Sequence, residues 1–192
     1  MKKVILIIQI LTMVVSSNAQ RTISLDSAYN YWRNPNGFPD DVTYVKDVDN
    51  KLDRFVGIWK GFARGRSYEL HFTKITTVPK DTNEIKWDQL VGKVLIKDSV
   101  TGTVIYNSLD SSGMNFTGFT FKRNQYNMSF TENTECGDGG DVFIMTVPGN
   151  NNKLWFYIVN DADLLTPSDC PGGLENYRPL FPFKKAIYFD RQ

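Results

Sequence analysis

The sequence contains a single histidine, His71, and offers little else that enzymes commonly use to move protons. His71 lies in the stretch SYELHFTKI, on the polar face of an alternating pattern beside Glu69 and Thr73. A catalytic histidine needs an oriented partner and a nucleophile within reach, and the spacing here suggests neither. We therefore interpret His71 as an exposed strand residue, and we expect a protein that is not an enzyme and needs no cofactor.

The chain also has no excess of charge, because 22 Lys and Arg residues face 21 Asp and Glu residues. The basic residues are spread along the sequence and form no cluster. Proteins that bind nucleic acid or an anionic membrane surface carry a concentrated basic patch. Nucleic acid is therefore not an expected partner.

Cysteine is scarce, with Cys136 and Cys170 in the loop-like stretches ECGDGG and SDCPGG. In an oxidising compartment such a pair most simply forms one disulfide that ties two loops together. A zinc site is the alternative, but two thiols with no histidine nearby are a poor ligand set, so we expect no metal there.

Two acidic loops flank these cysteines, one at residues 132–141 and the other at residues 161–169. Their carboxylates are those of Glu132, Glu135, Asp138, Asp141, Asp161, Asp163 and Asp169. The spacing does not match the twelve-residue calcium loop, and a solvated turn is the simpler interpretation. A disulfide would bring the two loops together, which leaves a bound cation as a minor hypothesis.

One long hydrophobic run occurs, and it lies at the N-terminus in MKKVILIIQILTMVVSSNAQ. Two lysines, an apolar stretch and then small residues are typical of a secretory signal peptide. The apolar run falls short of the ~20 residues that cross a bilayer, which argues against a membrane anchor. We predict a signal peptide at residues 1–19 and an exported protein, periplasmic or extracellular, without a transmembrane segment.

The rest of the chain predicts an all-β protein. Residues 20–50 contain the turn formers NPNG and FPDD, show no sustained period and are expected to form an irregular N-terminal arm packed on the domain. From residue 51 to residue 192, short alternating segments follow one another with turns between them, while LWFYIV is apolar on both faces, as in a strand covered inside and outside. About 8–10 such strands favour an up-and-down antiparallel β-barrel, which leaves no edges.

The stretch RFVGIWKG at residues 54–61 supports this fold, because its Gly-x-Trp follows a short turn-like segment and opens the series of strands. This arrangement resembles the calycins, the superfamily of lipocalins and fatty-acid-binding proteins. The resemblance implies that Gly57 and Trp59 lie on the first barrel strand and that Arg191, on the last strand, stacks over the indole. The segments NKLDRFVGIWKG and LVGKVLIKDSVTG also look like those of an uncharacterised family of small exported bacterial proteins.

Aromatic residues make up 14% of the chain and dominate the predicted strands. A barrel of about eight strands is wide enough to be filled by side chains or to hold one small ligand. We predict a non-catalytic binding protein for a small hydrophobic or amphipathic ligand in the barrel mouth. The residues expected to line that pocket are Tyr68, Phe72, Tyr106, Phe119 and Phe121.

The alternative is an interaction protein that uses a filled barrel as a scaffold for a protein or glycan partner at the cell surface. The aromatic, asparagine-rich stretch YNYWRNPNGF of the arm and the loop PGNNN suit that interpretation. The identity of the ligand or partner and the oligomeric state do not follow from the sequence.

Overall fold

The computed structural model describes residues 20–81, 84–132, 139–160, 178–182 and 185–192. Its elements in chain order are β1 (Arg21–Ser24), α1 (Leu25–Trp32), β2 (Val42–Lys46), a 3-10 helix (Lys51–Arg54), β3 (Gly57–Ala63), β4 (Arg66–Thr76), β5 (Lys86–Asp98), β6 (Val104–Asn107), β7 (Phe116–Lys122), β8 (Gln125–Thr131), β9 (Gly139–Val147), β10 (Asn150–Asn160) and β11 (Ile187–Arg191). Within these ranges, no helix is both long enough and apolar enough to cross a bilayer.

Among the described strands, eight form a closed antiparallel barrel in the order β5, β4, β3, β11, β10, β9, β8 and β7. The barrel closes where β7 pairs with β5, at Val91 with Thr117 and at Gly92 with Phe116. The beginning of β5 pairs with β2 and its end pairs with β6. The predicted up-and-down barrel is therefore confirmed.

Strand β4 shows why these segments form a barrel wall. Tyr68, Leu70 and Phe72 are buried, while the residues between them face outwards and are partly exposed. A short turn joins β3 to β4, and both turn residues, Arg64 and Gly65, have positive φ angles of 48° and 73°. This combination belongs to the tight hairpin turn whose twist matches that of paired strands.

The interior of the barrel is packed with aromatic side chains. Phe116 lies near its centre, with ring centroids at 4.9 Å from Phe130, 5.6 Å from Phe72 and 6.0 Å from Phe156. Phe181, from the segment that precedes β11, adds a ring 5.1 Å from Phe130. All of these side chains are at most 2% exposed, so their rings fill this part of the barrel.

The segment at residues 20–50 is a correction to the sequence-based expectation, because it folds regularly instead of forming an irregular arm. Ser24 caps helix α1 by accepting a hydrogen bond from the Ser27 amide at 3.2 Å. Leu25 and Ala28 are buried on one face of this helix. Strands β1 and β2 pair in parallel, and β2 continues in parallel onto β5. These strands are too short for an alternating pattern, and the partner of β2 lies far away in sequence.

A buried pair of carboxylates connects the arm to the barrel. Asp88 accepts hydrogen bonds from the Tyr44 hydroxyl at 2.7 Å, the Thr76 hydroxyl at 2.7 Å and the Asp47 amide at 2.9 Å. Asp47 in turn accepts from the amide of Leu52 in the 3-10 helix at 3.0 Å. Strands β2, β4 and β5 and the 3-10 helix thus meet at these two side chains.

The Asp88 carboxylate makes the stability of the fold dependent on pH. Burial acts to raise the pKa of Asp88, but the hydrogen bonds from Thr76, the Asp47 amide and Tyr44 outweigh it and hold the pKa below its ordinary value of 3.8. The stabilisation from ionised Asp88 is therefore present above the unfolded-state pKa and is lost as the pH falls through the folded-state pKa.

We expect Asp88→Asn to lower the free energy of unfolding by about 1–3 kcal/mol at pH 7, because an amide cannot accept all of these hydrogen bonds. The difference from the wild type should shrink below about pH 4, as the wild-type carboxyl also protonates. Urea unfolding of both proteins at pH 7 and at pH 3 measures this difference. The matched control is Asp190→Asn, whose side chain is 69% exposed and which should change stability little at either pH. A difference that is the same at pH 3 and pH 7 would contradict the prediction.

Candidate functional site

The Gly-x-Trp stretch and the last strand meet beside the 3-10 helix. The Arg191 guanidinium carbon lies 4.4 Å from the centre of the Trp59 ring, and its Nη1 donates to the Val56 carbonyl at 2.6 Å. The Trp59 Nε1 donates to the Phe55 carbonyl at 2.7 Å. Gly57 has a φ of 127°, and a Cβ there would lie 3.3 Å from Arg191 Nη1. The structure thus places Gly57, Trp59 and Arg191 together at this end of the barrel, where Trp59 is buried and the half-buried Arg191 covers its ring.

A second aromatic cluster lies on the outside of the barrel, and its position depends on an irregularity in β7. The pairing of β7 with β8 shifts between Gly118 and Thr120. A bulge adds one residue to a strand and re-aims its side chains. Phe121 consequently points into the core, whereas the Thr120 hydroxyl donates to the Leu25 carbonyl of α1 at 2.6 Å. The Phe119 carbonyl accepts a hydrogen bond from Trp87 Nε1 at 2.8 Å.

Helix α1 and the outer faces of β7–β10 enclose a groove of about 580 Å³, which we call the outer groove. One wall consists of Trp155 and Tyr157 from β10 and Phe143 from β9. The Trp155 and Tyr157 rings are 5.6 Å apart and within 7° of parallel. The opposite wall consists of Phe119 and Trp32, whose rings are 5.5 Å apart. Trp32 is 58% exposed, so this wall is open to solvent.

Polar side chains occupy the space between the aromatic walls. Gln125 Nε2 donates to Asn127 Oδ1 at 3.0 Å, and both side chains line the outer groove. Asp141, Lys122 and Arg33 also line it. The Lys122 Nζ lies 5.7 Å from the centre of the Tyr29 ring. The groove therefore combines flat apolar surfaces with amide groups and charges of both signs.

The five side chains predicted to line a pocket in the barrel mouth do not form one site. Tyr68, Phe72 and Phe121 are buried in the packed interior. Tyr106 is half-buried on β6, outside the ring of eight strands, and Phe119 lies in the outer groove. The alternation of β7 suggested that Phe119 and Phe121 share a face, but the bulge between Gly118 and Thr120 separates them.

Tyr106 contacts Asn115, whose Nδ2 lies 2.8 Å from the tyrosine hydroxyl. Burial raises the pKa of the Tyr106 hydroxyl above its ordinary value of 10.0. This contact connects β6 to the residue that precedes β7, and we therefore assign Tyr106 a structural role.

His71 lies beside two charged side chains, Glu69 and Lys60, on the barrel surface. Its Nε2 lies 2.6 Å from Glu69 Oε1, and Lys60 Nζ lies 3.2 Å from Glu69 Oε2. The hydrogen bond from His71, followed by that from Lys60, lowers the pKa of Glu69. His71 lies on β4, which is on the opposite side of the barrel from β9 and the outer groove.

The predicted disulfide and most carboxylates of the two acidic loops lie outside the described residues. Cys136 and Cys170 both belong to that remainder, as do Glu135, Asp138, Asp161, Asp163 and Asp169. Within the described ranges, no group of three or more His, Cys, Asp and Glu side chains could hold a metal ion. Asp141 is described and lies in the outer groove.

Sequence reasoning did not identify Trp155, Tyr157, Phe143 and Trp32 as lining a common groove. A signal was present, because LWFYIV is apolar on both faces. We interpreted it as a strand covered on both sides, but the outward-facing Trp155 and Tyr157 are only partly buried. Their proximity to α1 depends on where the arm packs on the barrel. The alternation of the strands does not predict that position.

Comparison with known proteins gives the relationship of the chain. No curated protein and no solved structure matches it. Residues 1–142, which include the arm, the 3-10 helix and the strands from β1 to β8, match a family of unknown function, DUF6705. The match covers well over half of the sequence, and the chain belongs to this family.

Proposed function

We propose that this protein is an exported, non-catalytic binding protein that holds an amphipathic ligand in the outer groove. The observation that carries the proposal is the pair of aromatic walls, Trp155 with Tyr157 and Trp32 with Phe119, which face a groove of about 580 Å³. This volume lies within the range of small-molecule sites, which combine apolar walls with a few polar groups.

The packed interior supports a site outside the barrel rather than in its mouth. Tyr68, Phe72 and Phe121 already contact other rings and are at most 2% exposed. A ligand in the interior would have to displace such rings, and each displacement would expose apolar surface to water. The outer groove needs no such rearrangement, because its walls are already open.

We further propose that the barrel is a calycin-like scaffold with its ligand site moved to the exterior. The stacking of Arg191 on Trp59, next to Gly57, supports this relationship. In this proposal Gly57, Trp59 and Arg191 stabilise the barrel and take no part in ligand binding. Helix α1 adds the second wall that an unaccompanied barrel surface would lack.

We propose a non-catalytic role because the polar groups that line the outer groove suit hydrogen bonding to a ligand. Asp141 and Lys122 supply charges and Asn127 supplies an amide, which suit hydrogen bonding to a ligand. His71 lies on the far side of the barrel with Glu69 and Lys60. A catalytic role would require a reacting group beside the bound ligand.

Export rests on residues 1–19, which have the pattern of a signal peptide. We expect a full-length gene product expressed in a bacterial host to lose these residues, so that the mature chain begins at Gln20. Intact-mass measurement of the exported fraction tests this. An uncleaved chain retained in the membrane fraction would contradict export as a soluble protein.

The site is tested with the amphipathic dye anilinonaphthalene sulfonate as a probe. We expect saturable binding to the wild type, and at least about 10-fold weaker binding to the double variant Trp155→Ala/Tyr157→Ala, because buried aromatic anchors dominate such contacts. Fluorescence titration measures both affinities. The matched control is Phe62→Ala, an aromatic side chain on β3 that is 74% exposed and lies two strands from β10. Equal affinity of wild type and double variant would reject the outer groove as the site.

A further inference from the structure

We propose that the ligand of the outer groove is the neutral sugar ring of a glycan, stacked on Trp155 and Tyr157. This inference rests on the proposed function, since it names the ligand class of the same site. It follows from three features of the groove: the orientation of its rings, the chemistry of the groups between them and its balance of charge.

The rings on β10 form a partly exposed aromatic stack. Trp155 and Tyr157 stack on each other, with centroids 5.6 Å apart and planes within 7° of parallel, and Phe143 lies 6.5 Å from Tyr157. The face of an aromatic ring is electronegative and its edge is positive. A sugar ring presents C–H groups on its flat faces, and these carry partial positive charge towards the aromatic face. The same ring presents hydroxyl groups at its edge, where the polar part of a site must lie.

The groups between the walls match such hydroxyls. The hydrogen bond between Gln125 and Asn127 uses Nε2 of the first and Oδ1 of the second. Among the described residues, this hydrogen bond leaves the Asn127 Nδ2 as a donor and the Gln125 Oε1 as an acceptor on side chains that line the groove. Asp141 adds a carboxylate acceptor. A hydroxyl both donates and accepts, so adjacent hydroxyls of a sugar satisfy such donors and acceptors together.

These polar groups argue against a lipid chain as the occupant. Covering Asn127, Gln125 and Asp141 with an alkyl chain would remove their water without replacing its hydrogen bonds, which is unfavourable. A polyol restores those bonds. The open shape of the groove also leaves the outer edge of a ligand in water, as a sugar within a longer chain requires.

Charge favours a neutral sugar over an acidic one. Arg33 and Lys122 are cationic, but Lys122 already lies over the Tyr29 ring and Asp141 adds a negative charge to the same groove. An anionic ligand would meet the Asp141 carboxylate as well as the cations. A neutral ring accepts both kinds of group as hydrogen-bond partners.

The aromatic surface continues beyond the groove, which favours an oligosaccharide over a single sugar. Trp155 pairs across the strands with Tyr188 on β11, which is 52% exposed. Alternating strand positions place both side chains on the outer face. A chain of sugars stacked on Trp155 can therefore extend onto Tyr188, so affinity should rise with chain length.

The test is saturation-transfer NMR of the purified protein with neutral oligosaccharides of two to six sugars, namely those derived from cellulose, chitin, starch, xylan and laminarin. The expected result is transfer of saturation from the protein to the sugar-ring C–H protons of at least one oligosaccharide series. Trp155→Ala and Asn127→Ala should each weaken its binding at least about 10-fold. Tyr188→Ala should weaken only the longer members, and Phe62→Ala should change nothing.

Circular dichroism and urea unfolding show whether each variant is folded. If stacking on the ring causes the binding, the conservative Trp155→Phe variant should retain part of the affinity. If the dye binds in a Trp155-dependent manner and no oligosaccharide of the five series binds, the sugar inference is overturned while the outer groove stands as a site. Oligosaccharide binding that is unchanged by Trp155→Ala overturns the sugar inference at this groove. If neither probe depends on Trp155, the proposed function itself is overturned.

Discussion

Replacing Trp59 with alanine is expected to lower the free energy of unfolding by about 3–5 kcal/mol, the usual cost of removing a large buried aromatic side chain. Trp59 is fully buried and its Nε1 is bonded to the Phe55 carbonyl. The substitution also removes the ring on which Arg191 stacks, and leaves that guanidinium facing a cavity. Urea unfolding followed by far-ultraviolet circular dichroism measures the change.

The matched control for Trp59 is again Phe62→Ala, because both residues lie on β3. Phe62 faces outwards and is 74% exposed, so its removal should change stability by less than about 0.5 kcal/mol. Arg191→Leu separates stacking from burial, since it keeps an apolar contact with the indole and removes the hydrogen bond to the Val56 carbonyl. A Trp59→Ala protein as stable as Phe62→Ala would contradict the role of Trp59 in the core.

Phe181→Ala is expected to have a comparable effect, lowering the free energy of unfolding by about 3–5 kcal/mol. The Phe181 ring is fully buried and lies 5.2 Å from Tyr68 and 5.2 Å from Phe156. Its backbone is held in place because Arg66 Nη1 donates to the Pro179 carbonyl at 2.6 Å. Removing the ring should therefore leave a cavity rather than allow the segment to collapse inwards.

The cavity makes Phe181→Ala a test of whether the barrel interior is filled. Apolar cavities left by such substitutions stay dry and can take up benzene or xenon. We expect benzene to raise the melting temperature of Phe181→Ala and to leave the wild type unchanged. Phe181→Leu, which keeps more of the volume, is the control and should cost less and respond less. Stabilisation of the wild type by benzene would indicate an open interior and return the ligand site to the barrel mouth.

Much of the barrel could be predicted because its signals are local. Alternation such as that of Tyr68, Leu70 and Phe72 reports which residues of a strand face the core, whatever the strand pairs with. The hairpin turn at Arg64 and Gly65 is a feature of the same short range, because glycine readily adopts the positive φ that such a turn needs. With several such strands and short connections, closure into a barrel follows from the need to pair edges.

The arm and the outer groove could not be predicted in the same way, because they depend on partners distant in sequence. Strand β2 is held by β5, and the Asp88 carboxylate receives its hydrogen bonds from β2 and β4. The bulge in β7 is defined by its pairing with β8, and it places Phe119 and Phe121 on opposite sides of the strand. The two-residue alternation of the sequence predicts neither the pairing of β2 with β5 nor the bulge in β7.

Residue order alone thus determined the all-β class and the closed barrel, since both follow from hydrophobic periodicity and turn chemistry. Whether the aromatic side chains fill the interior or line a pocket was decided by the tertiary structure, which packs Tyr68, Phe72 and Phe121 into the core. The tertiary structure alone decided where the remaining aromatic side chains are displayed. Trp32 and Trp155 are more than a hundred positions apart in the chain, yet they line opposite walls of one groove. Their proximity results from the docking of α1 on β7 and from the bulge beside it, and both depend on long-range packing rather than on local propensity.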